Sequence, residues 1–364
     1  MDNSEMPSAT NQPPYAFFQK GLDLYNRALL GPVERVPVFA QMHEFAAHVL
    51  HIPKSIFYTR PDIRIPALLE VQAEYGLDLP LSTYDVYNIE AESLGQNVII
   101  NDDCMPDIDR TKMLIQQKSD IHKVKTPNFE TSGRFQNVVE GVQLFSSLTG
   151  IEPGLEFCAP FSLAANIRGI EQFITDIYTD PEFARNLMNK VTDEVIAPYI
   201  LFLKKQFPKA IKFGGADATA SFPIINYKIL ENWCAAPIFR LQELTGLDVY
   251  VANWVGERYL KNPYQMLELK LRVASNTIQG QDPDVEALGP ELFKQYAEKS
   301  NIPLVLGVGA AFLAQATPQQ VVERVKHYVG VGKVGGKFAL YLCNISAATP
   351  PENIRAAVET AHSL

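Results

Sequence analysis

The amino-acid sequence predicts an α/β fold, a (β/α)8 TIM-type barrel with an N-terminal cap insertion. Two observations carry this expectation. From residue 132 onward, short apolar runs alternate with longer amphipathic ones, as strands and helices do around a parallel sheet. With an early strand at 35–41 the count reaches seven or eight, which favours a closed barrel over an open doubly wound sheet. No change of composition divides the chain after residue 132, so 15–364 reads as one domain behind a loose tail at 1–14. A barrel of this type needs roughly 250 residues. The 364 present leave room for a cap at 43–131.

Taken in order, Phe17, Leu22, Tyr25 and Leu29 recur at helical spacing over 15–30. The run RVPVFAQ at 35–41 is the first strand, ending at Gln41, His43 and Glu44. Helices are expected at 43–50 and 62–75, strand material over 77–101, and a hairpin around 94–100. A helix at 133–149 then precedes a strand at 154–159. Two helices follow, the second opened by Asp180 as cap and Pro181 at its first position. Strands at 209–214, 248–252, 276–279, 303–307 and 337–342 alternate with helices at 227–245, 262–274, 289–299, 317–329 and 351–361. Thr317-Pro318 and Pro350-Pro351 mark two of the helix starts.

Composition excludes several classes. The formal charge is −9 with no basic cluster, so the electrostatic footprint for nucleic acid is missing. No apolar run approaches the roughly 18 residues needed to cross a bilayer. The N-terminus has no basic region followed by an apolar one, and is not read as a signal peptide. Cys104, Cys158, Cys234 and Cys343 are far apart, which argues against a disulfide scaffold and suits a reducing cytoplasm. The acidic stretch at 101–109 lacks the glycine and terminal glutamate of a calcium loop. The Gly307-Val-Gly309 stretch lacks the third glycine of a dinucleotide fingerprint and is better read as close backbone packing. The glycines at 330–336 precede a strand instead of following one, so they form no phosphate loop.

Candidate chemistry lies at strand ends, where barrels of this kind place it. The stretch LDVYVANWVGER at 247–258 runs from a buried strand into a polar turn holding Asn253, Trp254 and Glu257. Asp217 follows Gly214, Gly215 and Ala216, small residues that permit close approach; it is a catalytic candidate, with a helix cap as the alternative. Glu257 is the second catalytic candidate, and pairing with Arg258 or capping the next helix is its structural alternative. Asp282, Gln41, His43 and Asn253 are candidate substrate contacts. Trp254, Tyr84, Tyr87 and Phe161 would line a pocket for an aromatic ring unless they pack between barrel and helices.

Three stretches carry a family likeness: PFSLAANIRG at 160–169 with Asp180-Pro181-Glu182, GADATASFP at 215–223, and Cys343-Asn344 with PENI at 351–354. In order and spacing they resemble the uroporphyrinogen decarboxylase superfamily, over about residues 30–362. The resemblance implies a (β/α)8 barrel whose cleft opens at the carboxyl ends of the strands. Authentic decarboxylases carry arginines after the first strand to hold substrate carboxylates; here VPVFAQMHEF at 36–45 has none. The other branch transfers methyl groups to or from corrinoid proteins. Its thiol-activating members bind zinc through His-x-Cys and a later Cys; the later one corresponds to Cys343, whereas Asn253 and Val255 stand where the pair would be. Relatives that demethylate methyl ethers imply a mixed ligand set, for which His43, Glu257 and Cys343 are the candidates. The expectation is a methyltransferase with a separate corrinoid protein as partner and a methyl ether or similar small donor. A cofactor-independent decarboxylase and a non-catalytic barrel binding a corrinoid or tetrapyrrole are the alternatives.

Overall fold

The first barrel strand, β1 (Val38–Ala40), is bordered on one side by an extended run at 78–81. A parallel bridge joins Phe39 to Leu79, and the Asp78 N–H donates to the Val38 carbonyl at 2.8 Å. The structure, a computed structural model, describes residues 12–274 and 276–364. Residues 1–11 of the expected tail lie outside the described residues. A small antiparallel pair, β2 (Val98–Ile99) with β3 (Asp107–Ile108), stands apart from the barrel. Next comes an arc of β4 (Leu155–Cys158), β5 (Lys212–Ala216) and β6 (Asp248–Val251), paired in parallel in that order. The other arc is β7 (Ile278–Gln281), β8 (Leu304–Val308) and β9 (Phe338–Leu342), and β9 pairs in parallel with β1. Seven strands and the run at 78–81 make the eight positions of a (β/α)8 barrel. The expected cap at 43–131 therefore contains the second barrel position and is not a pure insertion.

The outward faces of the strands carry the core. Phe157, Val249, Val251, Leu306, Leu340 and Leu342 have no accessible surface. Each such side chain contributes about 1.5–3 kcal/mol by leaving water. Helix starts follow the capping signals: the Asp180 carboxylate accepts from the Phe183 N–H at 3.1 Å, and Thr317 and Gln320 form a reciprocal capping box. The expected helix at 227–245 is present, but its turns widen at Leu230–Ala235 just before Pro237. The same occurs at Val191–Ile196 before Pro198. A proline has no N–H for the preceding turn, and a wider turn accommodates that loss.

Four features differ from expectation. After β4 there are helices at Pro160–Arg168 and Ile170–Thr179 before the one that opens at Pro181. The strand expected at 209–214 lies at 212–216, because Lys204 Nζ ties the carbonyls of Pro208 and Ala210 into a turn at 2.6 and 2.8 Å. The strand expected at 276–279 lies at 278–281, since Asn276 has a φ of +55°, which no strand residue takes. The hairpin expected over 94–100 pairs Val98 and Ile99 with residues 107–108 instead.

No helix among the described residues is long and apolar enough to cross a membrane.

Candidate active site

Barrel interiors of this type are normally filled by side chains. Here the inward positions of β1, β4, β5, β6 and β7 include partly accessible ones while their outward neighbours are buried, so the centre is hollow on that side, whereas Val305, Ala339, Tyr341 and Cys343 of β8 and β9 pack together. Phe39, stacked on Tyr341 and met edge-on by Tyr25, lies in this interior. Gly214 on β5 admits the Tyr250 ring, since a Cβ there would stand 3.2 Å from the Tyr250 hydroxyl. Gly307 likewise backs onto Cys343 and Gln281, which bears out the close-packing reading of its glycine motif.

A ladder of neutral polar groups climbs toward the carboxyl ends. Tyr341 donates to Gln41, Gln279 to Gln281 at 3.2 Å, and the Cys343 thiol to Gln281 at 3.5 Å. Across the mouth, Asn253 donates to the Tyr87 hydroxyl at 3.1 Å and accepts from the Asp217 N–H at 3.2 Å. One titratable acid faces the hollow from mid-strand: Glu156, on β4 between the buried Leu155 and Phe157. Burial alone raises its carboxyl to about 7. At the end of the same strand the Cys158 N–H donates to Glu90 at 2.8 Å, and burial raises that carboxyl to about 8. Neither glutamate stands among the sequence candidates. The available signal was a charged residue at the centre of an apolar strand, where an acid is costly without a role.

The expected site residues divide into two groups. Gln41, His43, Asn253 and Cys343 lie at strand ends around the mouth, with Tyr87. His43 Nδ1 is buried without a partner, and burial lowers the ring to about 4, so it is neutral at pH 7. Asp217, by contrast, is fully enclosed. Its carboxylate accepts from the Ser162 N–H and hydroxyl at 3.1 and 2.8 Å and from the Trp254 indole at 2.9 Å. Asp217 thus satisfies the first turn of the helix Pro160–Arg168 from across the barrel, and does not cap a helix of its own loop.

Glu257 is equally occupied, but by Lys270, not Arg258: the two form a buried ion pair, and Lys270 also donates to the Gln279 carbonyl at 3.2 Å. Asp282 accepts from the Gly309 N–H at 3.0 Å, from Arg324 at 2.9 Å and from Tyr328, and so faces the helix Pro318–Gly332. Trp254 has no accessible surface, Phe161 packs against Phe173 at 5.3 Å, and Tyr84 donates to the Glu156 carbonyl at 2.8 Å. These three aromatics pack between elements and do not line an open pocket.

Among the described residues, no three His, Cys, Asp or Glu side chains converge as metal ligands do. The set His43, Glu257 and Cys343 is not brought together: Glu257 is held by Lys270, and the Cys343 thiol, raised by burial, keeps its proton on Gln281. These residues do not fit a zinc ion.

The uroporphyrinogen decarboxylase (URO-D) family matches residues 22–211, more than half of the chain. The protein belongs to this family. Its fold is shared with a methyltransferase from Methanosarcina mazei, with a TM-score of 0.75 over 95% of this chain and 98% of that one, at 16% identity. No curated protein sequence matches the chain significantly. Membership does not by itself select the chemistry, because the hollow differs from what a porphyrinogen with many carboxylates requires. Lys212 and Asp248 stand on the inward face at the amino ends of β5 and β6; nearer the mouth, Phe39, Gln41, Glu156, Cys158, Gly214, Ala216, Tyr250, Gln279, Gln281, Gly307, Tyr341 and Cys343 include no lysine or arginine.

Proposed function

We propose that the protein is a methyltransferase acting with a separate corrinoid protein, taking its methyl group from a methyl ether or a similar small donor. The observation that carries this reading is Glu156, an acid raised to about 7 in a hollow lined by neutral amides and phenols. An alkoxide or phenoxide leaves poorly unless protonated, and an acid titrating near neutrality is matched to that task. A corrinoid held by the partner protein would supply the nucleophile for the methyl carbon. As the carbon–oxygen bond breaks, its electron pair stays on oxygen, and Glu156 delivers the proton there. Gln41, Gln281 and Asn253 orient an uncharged donor by hydrogen bonds, and Tyr250 and Tyr341 flank it. The methyltransferase likeness supports the reading at the level of fold, and the lack of inward cations near the mouth disfavours the decarboxylase.

The test mixes the protein with a reduced corrinoid protein and a panel of methyl ethers. The expected result is the absorbance change that accompanies corrinoid methylation, together with a demethylated product. Turnover of uroporphyrinogen would select the decarboxylase, and tight corrinoid binding without turnover would select a binding barrel.

A further inference from the structure

Behind the second barrel position lies another polar centre, outside the hollow. Arg64, on the helix Pro61–Glu74, is 3% exposed, yet its guanidinium is in no ion pair among the described residues, and its Nε has no hydrogen-bond partner. Arg134 is 7% exposed; it pairs with Asp85 at 2.7 Å and Glu92 at 2.6 Å, and its Nη1 is left without a partner. The Tyr58 and Thr83 hydroxyls are buried and unpartnered; Tyr58 and Tyr84, the residue after Thr83, both act electrostatically on Arg64. Arg64, Arg134 and Tyr58 lie within electrostatic reach of one another: burial lowers Arg64 to about 10, Tyr84, Tyr58 and Asp85 oppose that shift and Arg134 adds to it, and Arg64 acts in turn on Tyr58. Room for the guanidinium is built in, since a Cβ on Gly141 would come within 2.9 Å of Arg64 Nη2.

A guanidinium taken out of water without an acceptor or counter-charge is strongly unfavourable. Among the described carboxylates Asp85 acts on Arg64, but only at longer range than an ion pair. Asp85 and Glu92 are spent on Arg134, and Glu90, raised to about 8, is uncharged at neutral pH. What the centre lacks is an acceptor-rich anion, and a guanidinium fork suits a carboxylate or phosphate. We propose that Arg64 and Arg134, with the hydroxyls of Tyr58 and Thr83, form a buried binding site for a small oxyanion. The proposal is independent of the methyl-transfer reading. It does bear on the hollow, because Tyr84, next to Thr83, holds the backbone of Glu156.

The test titrates the chloride-dialysed protein with inorganic phosphate and, separately, with benzoate at constant ionic strength, following thermal unfolding and binding heat. A saturable rise in Tm is expected with at least one of them. Phosphate alone marks a free ion, and stronger binding of benzoate marks the carboxylate of an organic ligand. Thr83→Val, which keeps shape and loses one hydroxyl, should weaken binding about tenfold, and Arg64→Lys, which keeps charge and loses the fork, should weaken it more. Absence of saturable binding by the wild-type protein overturns the site. So does binding that neither variant weakens.

Discussion

The indole N–H of Trp254 donates to the Asp217 carboxylate at 2.9 Å, tying the loop after β6 to the loop after β5. The same carboxylate takes the Ser162 N–H from the helix after β4. Three consecutive strand ends around the mouth are thus fixed by one buried acid. The geometry of Asn253, which reaches from the Asp217 backbone to Tyr87, depends on it.

Asp217→Asn places an amide N–H against a donor whichever way the amide turns, since both carboxylate oxygens accept. The expected loss is about 2–3 kcal/mol, the usual cost of a buried donor left unpaired. Urea denaturation would show it as a lower midpoint at unchanged slope.

Glu156→Gln keeps the shape of the side chain and removes the transferable proton. Methyl transfer should fall by about 10²–10⁴-fold if the acid protonates the leaving group. Wild-type activity should decline as pH rises through about 7, where that proton is lost, and the residual rate of the variant should not follow this decline.

Stability gives an independent reading of the same group. Its folded carboxyl titrates at about 7 against an ordinary 4.5, so the folded state binds the proton more tightly. That contribution is complete below pH 4.5 and is lost as pH rises to about 7. Relative to Glu156→Gln, the wild-type protein should lose on the order of 3 kcal/mol across this window. Urea titrations at pH 4.5 and 8 check it; equal differences at both ends would sink the assignment.

Lys270→Met leaves the Glu257 carboxylate buried without its cation and should cost about 3–5 kcal/mol. Pairing it with Glu257→Gln should recover much of the loss, because the uncompensated charge goes with the change. A double-mutant cycle in urea measures the coupling.

Zinc content separates a ligand from a packed thiol. Cys343→Ala is expected to retain the metal content of the wild-type protein by elemental analysis, since its thiol is engaged with Gln281 and lies apart from other ligand groups. A stoichiometric ion lost in this variant would reverse that reading.

Local signals made much of the barrel legible in the sequence. Strand–helix alternation, the caps at Asp180 and Thr317, and the starts at Pro181 and Pro318 are written into neighbouring residues, and the structure reproduces them. The boundaries at 212 and 278 moved because a lysine tie and a positive φ at Asn276 set them, and neither is a pattern of periodicity.

The site was less legible. The sequence by itself determined which residues reach strand ends, and it placed Gln41, His43, Asn253 and Cys343 around the mouth. It did not determine what each acid meets there. Asp217 found an indole, Glu257 a lysine 13 residues later and Asp282 an arginine 42 residues later, while Glu156 found no partner in the hollow. An isolated carboxyl and a paired one look the same in a sequence. Only the tertiary structure decides whether a counter-charge arrives, and with it whether a buried acid is structural or free to hold a proton at neutral pH.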